Sequence, residues 1–237
     1  QNQGYAAGVA CAMAVRDGKL LRDIDIKALQ RHLIEKKILP ESVLTDTDSF
    51  PVDDETVQEA VRNVVGLPIF VELRKMSKAE AAAAYTNYIR VCVIYQEAVR
   101  AKPLLEKAYK EAETESAGLV YAHLLAMLGS GSGEDRLIAK IEATGWDSGW
   151  NFRGMGQFGR SVSWVDSYII ALARCRSEKA LPVIEKLAGQ LTGQYRAEDR
   201  KGDFSHFRAI GIYCRAIGNT RAAAVLERLI GLDGVAG

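Results

Sequence analysis

The feature that most constrains the fold of this chain is an internal repeat in its second half. Apolar segments recur there in pairs: residues 124–128 with 137–141, 169–173 with 181–187, and 210–214 with 224–229. The equivalent positions Ile141 and Leu187 lie 46 residues apart, and Leu187 and Leu229 lie 42 apart. We expect an earlier copy around residues 104–107. A recurring unit of this size indicates a stack of similar supersecondary structures.

The apolar residues within each segment follow a helical period. Phe207, Ile210, Cys214 and Ile217 are separated by 3, 4 and 3 positions, so that they share one face of a helix. Steps of about 40–47 residues between helix pairs are typical of HEAT and armadillo repeats. We therefore predict an all-α fold, a HEAT/armadillo-like α-α superhelix of antiparallel helix pairs. Residues 67–73 are ambiguous between strand and helix, and we predict helix.

Residues with turn and capping preferences separate the apolar segments. Ser177 and either Asn219 or Thr220 are N-cap candidates, and Pro182 falls where a helix would begin. Residues 129–133 and Gly218 are expected to form the tight turns between the members of a pair.

An acidic stretch with two prolines divides the chain. Residues 40–54 are polar, and Asp53 or Asp54 is expected to cap a helix that begins near Glu55. We predict two parts: residues 1–54, which comprise an N-terminal segment and this linker, and residues 55–237, the helical-repeat domain.

Composition excludes several classes of protein. The chain has 237 residues, 48% of them hydrophobic and 26% charged, which is typical of a folded globular protein. Its net charge of +1 provides no overall field for nucleic acid, so no nucleic-acid partner is predicted. The longest apolar run, residues 5–15, is well short of the roughly 20 residues that cross a bilayer, so no membrane span is predicted.

Metal binding and disulfide bonding are not indicated either. The three histidines, His32, His123 and His206, are far apart in the sequence, without clustered cysteines or carboxylates at ligand spacing. The four cysteines form no C-x-x-C pair, and we interpret them as small buried residues.

The N-terminal segment is rich in small residues. Residues 4–15 read Gly-Tyr-Ala-Ala-Gly-Val-Ala-Cys-Ala-Met-Ala-Val, and a helix of this composition can approach a neighbouring backbone or a flat cofactor closely. Its first turn would offer unpaired N–H groups to an oxygen-rich ligand. Tight packing in an ordinary core is the alternative explanation. Gly8 within it lowers helix stability relative to alanine, which indicates a packing requirement.

This segment resembles the last helix of the FAD-binding domain in bacterial FAD-dependent oxidoreductases. The family pattern is Gly-Gln-Ala-Ala-Gly-x-Ala-Ala-Ala, followed by a short loop and an amphipathic helix that ends near a Leu-Pro, here Leu39 and Pro40. The match covers about 40 of the 237 residues. It implies that Gln3, Gly4 and Ala7 lie near FAD in a full-length parent. Tyr5 stands where the family commonly has Gln.

The resemblance also implies that the catalytic core is not in this chain. The phosphate-binding turn of a flavin domain precedes its last helix by a long stretch of sequence, and the chain contains no such unit ahead of residue 4. We therefore expect a piece of a longer protein that by itself neither retains FAD nor turns over substrate. Its partners would be the missing flavin-binding domain and another protein bound through the repeat surface. The alternative is a free-standing HEAT-like protein-binding module.

The longest predicted connector, residues 145–163, is the candidate interaction loop of the repeat domain. It contains Trp146, Trp150, Phe152 and Phe158, and it is similar to a loop in the helical-repeat extensions of some of these oxidoreductases. Residues 154–159 match G-x-G-x-x-G, but no strand precedes them, so a dinucleotide site is not predicted. Simple packing on a neighbouring helix is the alternative role of the loop.

One further pair of residues suggests acid–base chemistry. Asp203 and His206 lie three positions apart at a predicted helix start, with Ser205 between them. Asp at such a position more commonly caps the helix, while the His faces a neighbour or solvent. No catalytic residue is assigned.

Overall fold

The part of the chain that the structure describes is entirely helical. The computed structural model describes residues 2–46, 52–66, 77–147, 163–192 and 204–232, which contain α-helices and short 3-10 turns but no strand. The α-helices are α1 (Asn2–Asp17), α2 (Ile26–Glu35), α3 (Asp54–Asn63), α4 (Lys78–Gln96), α5 (Ala98–Lys110), α6 (Glu115–Met127), α7 (Glu134–Thr144), α8 (Trp164–Arg174), α9 (Leu181–Ala188), α10 (Phe204–Ile217) and α11 (Thr220–Ile230). The predicted all-α class is confirmed. Residues 67–73, predicted to be helical, lie outside the described residues.

The chain divides into two compact units, Gln1–Val52 and Asp53–Gly237. The first unit contains α1 and α2, which pack around the buried side chains of Met13, Leu29 and Leu33. Three buried hydrophobic side chains are a very small core for a segment of this length. Packing within this unit therefore supplies little of the apolar burial that a stable domain needs.

In the second unit, helices pack in the order in which they occur. α6 packs on α7 and α10 on α11 within pairs, while α6 contacts α8 and α8 contacts α10 between pairs. The second helices of the pairs make the equivalent contacts: α7 contacts α9, and α9 contacts α11. One continuous cluster of buried hydrophobic residues extends from Ala122 on α6 to Leu229 on α11. The repeated segments recognised in the sequence all lie on these six helices.

The beginning of the second unit has a different arrangement. α3 packs on both α4 and α5, and α5 packs on α6. α4 and α5 are separated by a break at Glu97, where φ is −103° and ψ is 33°. Residues 104–107, the expected earlier copy of the repeat, lie on α5, where Leu105 is fully buried.

Most of the predicted helix ends are confirmed by the hydrogen bonds. Oδ1 of Asp53 accepts from the backbone N–H of Thr56 at 2.6 Å and begins α3, and Oδ1 of Asn219 accepts from Ala222 at 2.9 Å and begins α11. Pro182 lies in the first turn of α9. Gly218 has a φ of +68°, which glycine adopts without the steric penalty of a side chain. Ser177, in contrast, makes no side-chain capping bond.

The prediction that the cysteines are buried is wrong for Cys11. Cys214 is buried and Cys92 and Cys175 are half-buried, but Cys11 is exposed. It lies on α1, whose buried residues are Met13 and Ala14. The small core of the first unit covers only one side of that helix, and Cys11 lies on another.

Candidate functional site

A buried histidine and a buried aspartate meet between α8 and α10. Nδ1 of His206 lies 2.6 Å from Oδ1 of Asp166, and the two side chains are 3% and 0% exposed. The residues lie on neighbouring helices of consecutive pairs. This contact is the most deeply buried pairing of titratable side chains among the described residues, and it is the natural candidate for a functional site.

Asp166 is held in place by the start of its own helix. Ser163 and Asp166 form a capping box: Oγ of Ser163 accepts from the N–H of Asp166 at 3.1 Å, and Oδ2 of Asp166 accepts from the N–H of Ser163 at 2.8 Å. One carboxylate oxygen therefore serves the N-terminus of α8 and the other serves His206. The capping geometry fixes the direction in which the carboxylate faces α10.

The hydrogen bonds determine the protonation state of the pair. Burial raises the pKa of Asp166. The hydrogen bond and charge of His206, with hydrogen bonds from Ser205 and the backbone of Ser163, lower it by more, so the pKa lies below its ordinary value. Burial lowers the pKa of His206, and the hydrogen bond and charge of Asp166 outweigh burial and raise it. At neutral pH the aspartate is therefore ionised, and Nδ1 of His206 is its donor.

The second ring nitrogen of His206 is also occupied. Nε2 lies 3.1 Å from the backbone carbonyl oxygen of Asp147, which can only accept a hydrogen bond. Both nitrogens of His206 therefore donate, which makes the ring an imidazolium. A general base needs a free ring nitrogen, and His206 has none.

Trp146 covers the face of the same imidazolium. The ring centroids of Trp146 and His206 are 4.0 Å apart with an interplanar angle of 23°, and Nε1 of Trp146 donates to the carbonyl oxygen of Leu187 at 2.8 Å. A cation over an indole is a favourable contact, especially where water is excluded. Trp146 thereby joins the end of the α7 segment to α9 and α10.

A second buried histidine lies on α6 and has the opposite electrostatics. The ring of His123 meets the ring of Tyr168 edge to face, with 5.3 Å between centroids. Burial lowers the pKa of His123 to about 4, and a hydrogen bond with the backbone of Ser167 opposes this only in part. His123 is therefore neutral at neutral pH. Burial, together with the charge of Asp147, raises the pKa of Tyr168 to about 12, so its hydroxyl stays protonated.

The arrangement is suited to joining helices and not to catalysis. The carboxylate of Asp166 and both nitrogens of His206 are hydrogen-bonded to internal partners. Burial keeps His123 and Tyr168 in their uncharged forms. For Asp203 and His206 the sequence favoured a helix cap and a histidine that faces a neighbour or solvent. Asp203 lies outside the described residues, and within them His206 contacts Asp166. The sequence signal for this partner was the Ser163-x-x-Asp166 capping box, which places a fixed carboxylate at the start of α8.

The other predicted site residues lie in different places. Gln3, Gly4 and Ala7 are exposed on the first two turns of α1, and a methyl group at Gly4 would have no neighbour within 4 Å. Trp146 is half-buried in the cluster described above. Trp150, Phe152 and Phe158, with the G-x-G-x-x-G segment, lie outside the described residues.

An open groove runs between α3, α5 and α6. Its volume is about 540 Å³, and its apolar lining includes Val61, Leu104 and Tyr121. Charges of both signs lie at its rim, with Arg62 and Lys107 opposed by Glu111 and Glu113. A concave, partly apolar surface of this kind can accept a small ligand or a short segment of another protein.

The described ranges contain neither a candidate metal site nor a candidate membrane-spanning helix, and three comparisons with known proteins give no match. No group of three or more His, Cys, Asp or Glu side chains in those ranges is placed to hold a metal ion. None of the helices in them combines the length and the apolar character that crossing a membrane requires. No family model, no curated protein and no solved structure matches the chain.

Proposed function

We propose that this chain is the C-terminal region of an FAD-dependent oxidoreductase, in which residues 55–237 form a HEAT-like α-α superhelix that acts as a scaffold or interaction surface. The observation that carries the proposal is the exposed small-residue face of α1. Gly4, Ala7, Gly8 and Cys11 are exposed there, and no atom would lie within 4 Å of a methyl group added at either glycine. All four belong to the run of residues 4–12 that, with the segments after it, resembles a flavin-domain helix.

The missing flavin-binding domain is the partner that we assign to this face. Small residues permit a partner to approach closely, and among the described residues no atom lies within 4 Å of a methyl group added at Gly4 or Gly8. The buried hydrophobic cluster of the first unit contains only Met13, Leu29 and Leu33 among the described residues, while Val15 is 82% exposed. A doubly wound flavin domain packed on α1 would supply both the missing burial and the cofactor near Gln3, Gly4 and Ala7.

The second unit supports a scaffold role. Its helix pairs follow one another at steps of 46 and 42 residues, and α6, α8 and α10 make equivalent contacts between consecutive pairs. Repeats of this kind bury a core only by stacking and present an extended surface. The buried polar groups Asp166 and His206 join two successive pairs, and their hydrogen-bonding atoms are occupied by internal partners. We propose that the chain alone has no catalytic activity.

A flavin-binding comparison tests this function. The chain mixed with FAD and passed over a desalting column should show no flavin absorbance, whereas a chain extended upstream should be yellow. Tight binding of FAD by residues 1–237 alone would contradict the proposal, and so would an extended chain that lacks a flavin fold.

Two substitutions at Gly8 test the face in the two proteins. In the present chain, Gly8→Ala should raise helix stability by about 0.5–1 kcal/mol, because the position is helical and open. In the extended chain we expect Gly8→Leu to reduce FAD retention, because a larger side chain would separate α1 from the domain. Exposed Ala83→Leu on α4, in the second unit, is the control for a general effect of leucine.

The groove between α3, α5 and α6 favours the second candidate, a free-standing HEAT-like module that binds protein. Its apolar lining around Leu104 and Tyr121 is a surface for another chain. An upstream reading frame that begins with a methionine just before residue 1 would favour this module over the oxidoreductase.

A further inference from the structure

α4 presents an aromatic face to solvent. Tyr85, Tyr88 and Tyr95 are 65%, 62% and 39% exposed, and Ile89 is 43% exposed. With half-buried Cys92, the tyrosines are spaced by 3, 4 and 3 positions, which places them along one side of the helix. The residues that α4 buries, among them Val91 and Ile94, lie on its other side, toward the helices α3 and α5.

Between Tyr85 and Tyr95 this face carries no charged residue of α4, and Lys78 lies on the same face two turns earlier, at the start of the helix. The charged residues of α4 are Lys78, Glu80 and Arg90. The carboxylate of Glu80 accepts from the N–H of Ser77 in the capping box at the start of the helix. The guanidinium of Arg90 is directed to α3, where it lies 3.8 Å from the carboxylate of Glu59. A helix face that remains in water normally carries charged residues, so an uncharged aromatic stripe indicates a partner.

The chemistry of the stripe selects the partner. Nucleic acid or an anionic membrane surface would require cations on this face, and a charged peptide would require charges of the opposite sign. Apolar residues at alternating spacings of 3 and 4 are the pattern by which one helix packs along another. The spacing 3, 4, 3 reads the same in both directions. An antiparallel copy of α4 therefore brings Tyr85 opposite Tyr95 and Tyr88 opposite Cys92, all at once.

We propose that the chain self-associates through this tyrosine stripe, with α4 of one copy antiparallel to α4 of a second copy. The contact is isologous, so each residue pair occurs twice about the two-fold axis. At about 150–250 Å² for each aromatic side chain, the exposed parts of six tyrosines offer roughly 500–800 Å². Two copies of Ile89 bring the total toward the lower limit of about 1,000 Å² for a specific interface. The dimer is therefore weak and depends on concentration.

Sedimentation over a concentration series tests the proposal. The wild-type chain should pass from monomer to dimer, and Tyr88→Glu should raise the dissociation constant about a hundredfold or more, because two carboxylates would lose water at the axis. Val15→Glu is the matched control, since Val15 is 82% exposed on the other exposed apolar face, that of α1. It should leave the dissociation constant unchanged. A chain that stays monomeric, or a dimer that Tyr88→Glu does not weaken, overturns the proposal.

Cysteine alkylation in the wild-type chain provides a second test that does not depend on the folding of a variant. Cys92 lies in the stripe, and Cys11 lies exposed on α1. At a concentration well above the dissociation constant, iodoacetamide should modify Cys92 about fivefold more slowly than at high dilution, as mass action requires. The rate at Cys11 should not change. Protection of Cys11 in place of Cys92 assigns the dimer to α1 and overturns the proposal.

Discussion

His206 donates from Nδ1 to Oδ1 of Asp166 across 2.6 Å, although the two residues lie 40 positions apart in the chain. Because Asp166 also closes the capping box of α8, the contact joins the start of one helix pair to the first helix of the next. Trp146 stacks on the imidazolium and donates to the carbonyl of Leu187, which adds α9 to the connection. Removing any member should weaken the stacking of pairs.

Replacing Asp166 tests the energetic role of the buried ion pair. Asp166→Ala leaves the imidazolium of His206 buried without its counter-ion and removes a helix cap, so we expect the free energy of unfolding to fall by about 3–5 kcal/mol. Urea unfolding monitored by circular dichroism measures this. Asp135→Ala is the control, because that carboxylate is 80% exposed and pairs only at the surface with Lys179; its cost should stay within about 1 kcal/mol. Equal effects of the two substitutions would refute a special role for the buried pair.

The same pair predicts a loss of stability at alkaline pH. The folded-state pKa of His206 is raised, so its contribution is complete below about pH 6.5 and is lost as pH rises through the folded-state value. Asp166→Asn removes the charge that raises this pKa, and the decrease in unfolding free energy above pH 6.5 should become smaller. Urea titrations of both proteins at a series of pH values give the difference. Parallel curves for the two proteins would be inconsistent with this prediction.

His123 predicts a loss of stability at acidic pH. Its pKa of about 4 lies below the unfolded value of about 6.5, so its contribution is present above pH 6.5 and is lost as pH falls toward 4. The loss amounts to roughly 3 kcal/mol over this range. His206 stays protonated in this interval, and Asp166 loses its contribution only at lower pH. His123→Phe keeps an aromatic ring beside Tyr168 and should flatten the unfolding free energy between pH 6.5 and 4; an unchanged slope would exclude His123 as its source.

A glycine at the turn after α6 is required for packing. A methyl group at Gly133 would lie 2.5 Å from Cβ and 2.6 Å from Cα of Ala122, closer than real contacts allow. We expect Gly133→Ala to cost about 1–3 kcal/mol in unfolding free energy. Gly211 within α10 is the matched control, since no atom would approach its added methyl within 4 Å, and Gly211→Ala should stabilise by about 0.5–1 kcal/mol. Thermal unfolding of both variants distinguishes the outcomes.

Local patterns in the sequence were sufficient for much of the helical framework. The caps at Asp53 and Asn219, the turn at Gly218 and the early position of Pro182 depend on residues within one helical turn, and all four are confirmed. The same is true of the helical character of the repeated apolar segments. Each of these features is decided by backbone chemistry that acts over a few residues.

Side-chain contacts between residues far apart in the sequence could not be predicted in the same way. His206 was considered with Asp203, its sequence neighbour, but its contacts are Asp166, the carbonyl of Asp147 and the ring of Trp146. Cys11 was predicted to be buried because the cysteines fit no disulfide or metal pattern, yet α1 covers the core with one face only and Cys11 lies on another. The aromatic stripe of α4 could not be predicted, because the spacing of its tyrosines alone does not show which face of a helix is covered.

Nearby residues control helix formation and capping, so the helical character of this chain, many of its helix ends and the recurrence of six helices as pairs follow from the order of its amino acids. The ion pair of Asp166 and His206, the neutral state of His123 and the outward position of Tyr85, Tyr88 and Tyr95 arise from the packing of distant helices. Those properties depend on which helix faces meet, and the stacking of whole pairs sets that register.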